Sequence, residues 1–98
     1  MDQKTFIDHV LNESEGEFKM LLDRFSITQR KALKGIVYKN GKEMLGKDVL
    51  DFVILSKNSM VTALKSLRKN EIIDFENDMY FINVRAFELW IKRTYINL

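Results

Sequence analysis

An α+β fold, three helices followed by a β-hairpin with further helices at both ends, is predicted by three features of this chain. Apolar residues recur at helical spacing between positions 6 and 67, the mark of helices that each bury one face. The runs "IIDF" and "MYFINV" are rich in β-branched and aromatic residues and flank Asn77-Asp78, as strands flank a tight hairpin turn. Helical periodicity then returns over residues 84–94.

Each element has its own warrant. Phe6, Ile7, Val10 and Leu11, then Phe18, Leu21, Leu22 and Phe25, form two helical faces, and "NESEGE" between them predicts an interruption at Gly16, glycine being a poor helix former. Thr28 is expected to cap a helix running to about Tyr38, with Leu33, Ile36 and Val37 inward. "KNGK" at 39–42 reads as a turn, and Gly46 as the start of a short helix over 47–53 that turns Val49, Leu50 and Phe52 inward. Ser56 opens the next helix, to about Asn70. Met60, Ala63, Leu64 and Leu67 face its core side, and positions 57, 58, 61, 62 and 65 face outward. The closing helix places Phe87, Leu89, Trp90 and Ile91 on a broad apolar side, with Lys92 and Arg93 at the end where the helix dipole favours cations. Met20, Met44, Met60 and Met79 read as gap fillers. Three helices and a hairpin in this order describe a winged helix-turn-helix with added helices at both termini. Residues 1–25 would be a helical extension and 26–98 the winged-helix domain.

Composition narrows the function classes. With 98 residues, 46% hydrophobic and 31% charged, the chain suits one globular domain with a modest core. No apolar run approaches the ~20 residues of a membrane span. The start "MDQKTF" lacks the pattern of a secretory signal, so a cytoplasmic protein without membrane partners is expected. Zero cysteines exclude disulfides and thiolate zinc sites, and one histidine, His9, cannot by itself build a metal centre or triad. The carboxylates are scattered over lysine-rich faces, so no pair is set for acid–base chemistry. No cofactor and no intrinsic enzymatic activity are expected.

One motif argues otherwise at first sight. "GKEMLGKD" at 41–48 matches GxxxxGK[ST] at all but the last position. A phosphate-binding loop needs a preceding strand and a hydroxyl for magnesium. Here Asp48 stands in place of the hydroxyl, facing phosphates with like charge, and the chain is short for the parallel sheet involved. A turn followed by a helix is the better reading.

Charge is unevenly divided. Residues 1–24 hold three basic and six acidic side chains, net −3, and residues 25–98 hold thirteen basic and eight acidic, net +5. The helix from Ser56 to Asn70 carries Lys57, Lys65, Arg68 and Lys69 and no acid. In a helix-turn-helix this helix enters the major groove, where lysine reads guanine or phosphate and asparagine pairs with adenine. Lys57, Asn58, Val61, Thr62, Lys65 and Lys69 are therefore the expected contacts with double-stranded DNA. Ser59 would cap the backbone or touch a phosphate. The competing reading is a solvated face, with the late cations placed by the helix dipole. Glu76 and Asp78 at the hairpin tip oppose phosphate, Arg85 would offset them only in part, and a protein-docking module would escape that penalty. Trp90 and Tyr95 have the faces to stack bases, but their apolar helix favours core packing.

At "LSKNSMVTALKSLRKNEIIDFENDMYFINVRAFELWIKR", residues 55–93, the chain resembles the C-terminal winged-helix domain of archaeal and bacterial ATPases of the AAA/STAND type. That family carries an "ALxxLxxxxLI"-like segment, a hairpin and a "DPxFxLWxRR"-like helix. The matching residues are Ala63-Leu64, Leu67, Ile72-Ile73, Phe87, Leu89, Trp90, Lys92 and Arg93, and "SITQRKALKGI" at 26–36 is similar to the helix that opens the domain. The family's Asp-Pro is replaced by Val84-Arg85, which removes an acidic cap and leaves Asn83 to cap the closing helix. The resemblance implies either the C-terminal module of a larger ATPase, whose nucleotide site lies elsewhere, or a stand-alone relative. The acidic N-terminal helices would then join a parent ATPase domain or pair two copies as a homodimer.

Overall fold

The computed structural model describes residues 11–96. They form helices α1 (Glu15–Asp23), α2 (Ile27–Lys39), α3 (Lys47–Val53) and α4 (Lys57–Lys69), then strands β1 (Ile73–Glu76) and β2 (Met79–Ile82). Helix α5 (Arg85–Ile91) follows and runs into a π-helical turn, Lys92–Ile96. The arrangement is α+β, several helices and one two-stranded antiparallel hairpin, in an order compatible with the expected winged-helix layout.

A helical stretch ends at residue 13, and the break before α1 falls at Ser14, where Gly16 had been expected. Gly16 lies inside the first turn of α1, which gains from Glu15 and Glu17 at its positive end. The amphipathic face of α1 is anchored by Leu22, and Phe18 sets its ring 5.7 Å from Phe87 and 5.8 Å from Trp90. Met20 is 66% exposed, so it fills no gap. It lies off the face that Phe18 and Leu22 turn inward.

Helix α2 starts two residues earlier than a Thr28 cap would allow. Ser26 is the N-cap: its Oγ accepts from the Gln29 amide at 3.1 Å, and Gln29 Oε1 accepts from the Ser26 amide at 2.9 Å. This reciprocal capping box satisfies two of the amides a helix start leaves open. At the other end Asn40 takes the left-handed conformation, φ 56°, which asparagine tolerates better than most residues. Helix α2 packs against α3, α4, α5, β2 and the π-helical turn, making it the centre of the core. Gly35 allows the close approach of α3: a Cβ there would lie 3.0 Å from Val49 Cγ1.

Helix α3 has the predicted bounds and the Gly46 cap, but its phase differs. Val49 and Val53 are buried, whereas Phe52 is 45% exposed and stacks its ring on Tyr38 at 3.8 Å. In a seven-residue helix the inward stripe is set by its neighbours more than by its own periodicity. Helix α4 follows prediction at both ends and inside: Ser56 accepts from the Ser59 amide, Asn70 closes the helix, and Met60, Ala63, Leu64 and Leu67 are all buried. Burial of each large member contributes about 1.5–3 kcal/mol.

The hairpin pairs Glu76 with Met79 and Ile73 with Ile82. Asn77 and Asp78 turn the chain at φ 55° and 61°, as a two-residue hairpin loop demands. Its outer edge is clipped to the α2–α3 loop, where the Tyr80 amide donates to the Gly41 carbonyl at 2.9 Å. Gly41 itself has φ 75°, and a Cβ would lie 1.7 Å from the Tyr80 carbonyl oxygen. After the hairpin, Asn83 does not cap α5. Its side-chain amide donates to the Glu71 carbonyl at 2.9 Å, and Val84 holds the cap position without a side-chain bond. Phe87, Trp90 and Ile91 of α5 close the core. The closing helix continues beyond Ile91 as the π-helical turn, which carries Tyr95 to an exposed position. There Tyr95 stands edge-on to Trp90, with Lys34 Nζ 4.1 Å above its ring. Among the described residues, no helix is long and apolar enough to cross a membrane.

Two glycine substitutions separate these roles. Gly41→Ala is expected to destabilise by about 2 kcal/mol or more, because both φ and space forbid a Cβ. Gly16→Ala, exposed with nothing within 4 Å of the new atom, is expected to stabilise by about 0.5 kcal/mol. Urea unfolding midpoints of the two variants check both signs.

Candidate nucleic-acid interface

Because Met60, Ala63, Leu64 and Leu67 fix the inward stripe of α4, the opposite stripe is determined. Asn58, Thr62, Lys65 and Lys69 are exposed along it, Lys57 is exposed as the first residue of the helix, at the edge of the inward face, and Ser59 and Val61 are half-buried on the flanks. The structure thus brings seven of the eight predicted contact residues onto one helix. Ser59 is engaged in the start of α4: its amide and hydroxyl both meet Ser56 Oγ, at 3.1 and 3.0 Å.

The eighth residue lies apart. Arg85 lines a groove of about 490 Å³ with Glu76, Met79, Phe81, Glu88 and Leu89, and its guanidinium pairs with Glu88 one turn along α5. Its charge is thereby already partly matched. Arg68, the fourth cation of α4, is likewise shared, with Nε 3.9 Å from Asp74 and the guanidinium 5.9 Å from the Phe75 ring. The free positive charge of the α4 surface therefore resides in Lys57, Lys65 and Lys69.

Between α4 and the hairpin lies a groove of about 440 Å³. Its walls include Met44, Val61, Phe75 and Tyr80, with Phe75 and Tyr80 paired across the strands at 4.7 Å. Glu43 and Asp78 stand at the same groove as Lys65 and Arg68. Asp74, Glu76 and Asp78 are all exposed on the hairpin, so the acidic character read at its tip extends down β1. Sequence reading missed this apolar groove, since its walls come from three segments distant along the chain.

The stretch 41–48 has structural tasks. A helix, α2, precedes it where a phosphate-binding loop requires a strand. Gly41 seats the hairpin, Lys47 Nζ lies 3.7 Å from Asp51, and Asp48 ties α3 to α2 by accepting from Tyr38 Oη at 2.9 Å and Lys39 Nζ at 3.0 Å. These two bonds, Lys39's first, hold the Asp48 carboxyl below the usual carboxylate range. The same contact raises the pKa values of Lys39 and Tyr38. Among the described residues no group of three or more His, Asp or Glu side chains could hold a metal ion, and His9 lies outside them. No protein-family model, curated protein or solved structure matches this chain.

The Asp48 contact sets an acid-side pH dependence. A carboxyl whose folded pKa is depressed adds stability above its unfolded pKa, and that stability fades as pH falls through the folded value. The wild type is expected to lose more stability than Asp48→Asn between pH 6 and pH 2, in the part of the change that this site causes. Urea unfolding of both proteins at several pH values measures the difference.

Proposed function

We propose that this chain is a winged-helix module that binds double-stranded DNA through the outward face of α4. The observation that carries the reading is a helix free of acids, with Lys57, Lys65 and Lys69 exposed beside the hydrogen-bonding side chains of Asn58 and Thr62. Lysines on that face neutralise phosphates and release counterions, which supplies affinity. Asn58 and Thr62, near the N-terminal end, supply hydrogen bonds to base edges. The resemblance to the C-terminal domain of AAA/STAND-type ATPases supports a place in a larger ATPase or in a stand-alone regulator.

The groove between α4 and the hairpin favours a second reading, a module that docks protein. Its apolar walls, with Glu43 and Asp78 beside Lys65 and Arg68, suit a segment that pairs apolar with charged side chains. Phosphates would gain nothing from Phe75 and would be repelled by Asp78.

Fluorescence anisotropy of a labelled mixed-sequence duplex, titrated at several salt concentrations, decides between them. DNA binding through α4 predicts affinity that falls steeply with salt, at least a tenfold loss in Lys57→Glu/Lys65→Glu with the fold retained by circular dichroism, and a log–log salt slope shallower by about 1 in Lys65→Ala. No binding at low salt, or binding indifferent to these changes, overturns the reading and puts protein docking first.

A further inference from the structure

Of the asparagines in the chain, only Asn40 is followed by glycine. That pair is the most labile of asparagine sequences, because glycine has no side chain to shield its amide nitrogen and that nitrogen can reach the asparagine side-chain carbon. The chemistry consumes water alone. Gly41 N bonds to Asn40 Cγ as its proton leaves, the Cγ–Nδ2 bond breaks and ammonia departs. Water then opens the cyclic imide, at Cγ to give aspartate or at the backbone carbon to give isoaspartate, whose main chain runs through the former side chain.

In this fold the attacking nitrogen is held. Asn40 has φ 56° and ψ 34°, a rotation that turns the Gly41 nitrogen away from the Asn40 side chain, whereas ring closure needs the two eclipsed. The Gly41 amide donates to the Ile36 carbonyl at 2.8 Å, closing the end of α2. The Gly41 carbonyl accepts from the Tyr80 amide at 2.9 Å. Gly41 is buried, while Asn40 is exposed on the groove lined by Glu76, Arg85 and Glu88. Water therefore reaches the side-chain carbon, and only the nucleophile is withheld. Releasing it means breaking both anchors and rotating Asn40, which undocks the hairpin edge from the end of α2.

We propose that Asn40–Gly41 is a gated self-modification site, silent while the hairpin is docked and converted by water to aspartate or isoaspartate when the joint opens. Conversion then weakens redocking. Isoaspartate adds a methylene to the main chain at a place where even a Cβ on Gly41 would lie 1.7 Å from the Tyr80 carbonyl oxygen. Either product puts a carboxylate at the C-terminal end of α2, where the helix dipole disfavours it, in a groove that already holds Glu76 and Glu88. The joint thus keeps a one-way record of having opened. This chemistry is independent of DNA binding by α4.

Peptide mapping by mass spectrometry, with electron-transfer fragmentation to tell isoaspartate from aspartate, follows residue 40 during incubation at mildly alkaline pH. In the native full chain, conversion is expected to be at least about tenfold slower than in the same chain in denaturing urea, and to rise with sub-denaturing urea in step with hydrogen exchange at the Gly41 amide. Tyr80→Pro removes the amide that anchors Gly41, and Tyr80→Ala keeps it. With both variants folded by circular dichroism, the proline variant is expected to convert about threefold to tenfold faster, the worth of one hydrogen bond. Protein enriched in isoaspartate at position 40 is expected to unfold at lower urea than unmodified protein. Native conversion as fast as in urea, a rate that does not follow Gly41 exchange, or equal rates in the two folded variants overturns the gate. Equal urea midpoints with and without isoaspartate overturn the one-way record.

Discussion

The contact between the Gly41 carbonyl and the Tyr80 amide decides where the hairpin lies, and the surfaces of the molecule follow from it. A two-stranded hairpin is marginal alone and needs a partner for its edge and a core for one face. Here the loop after α2 supplies the edge bond, while Ile73 and Ile82 insert into the core. The approach is so close that only glycine fits at 41. Position 41 sits directly after the left-handed Asn40, so the end of the central helix and the placement of the hairpin are determined within two residues. The loop that mimics a phosphate-binding motif is thus a joint of the fold.

With the hairpin so placed, α4 is bordered by two unlike grooves. Toward the hairpin the lining is aromatic and aliphatic, with Glu43 and Asp78 beside Lys65 and Arg68. Toward α2 it is polar and uncharged. Between them runs a stripe whose unshared charge is entirely positive. Arg68 and Arg85 pair with Asp74 and Glu88, which sharpens the division. The stripe is the surface we propose for an extended polyanion.

How much of this was legible in the sequence depended on how local each cause is. The bounds of α3, the Asn77-Asp78 turn and the four buried positions of α4 rest on turn chemistry and periodicity within a few residues, and they were readable. The start of α2 was also readable, since Ser26 and Gln29 stand at capping-box spacing, but Thr28 offered a competing cap. Phe52 and Met20 could not be placed by periodicity, because a short helix and a peripheral helix take their orientation from what they pack on. Asn83 was drawn from its capping role by a carbonyl twelve residues earlier. The stripe of contact candidates was visible because one helix carries it, whereas both grooves needed the tertiary structure.

The outward stripe of α4 is the surface proposed to meet DNA. A residue-resolved map tests it most directly: ¹H–¹⁵N correlation spectra of the labelled protein, recorded as a mixed-sequence duplex is added at low salt. Amide shifts are expected to concentrate between Lys57 and Lys69, with little change at Glu76, Asn77 and Asp78. Shifts confined to the hairpin and the groove behind it, or none at saturating duplex, would contradict it.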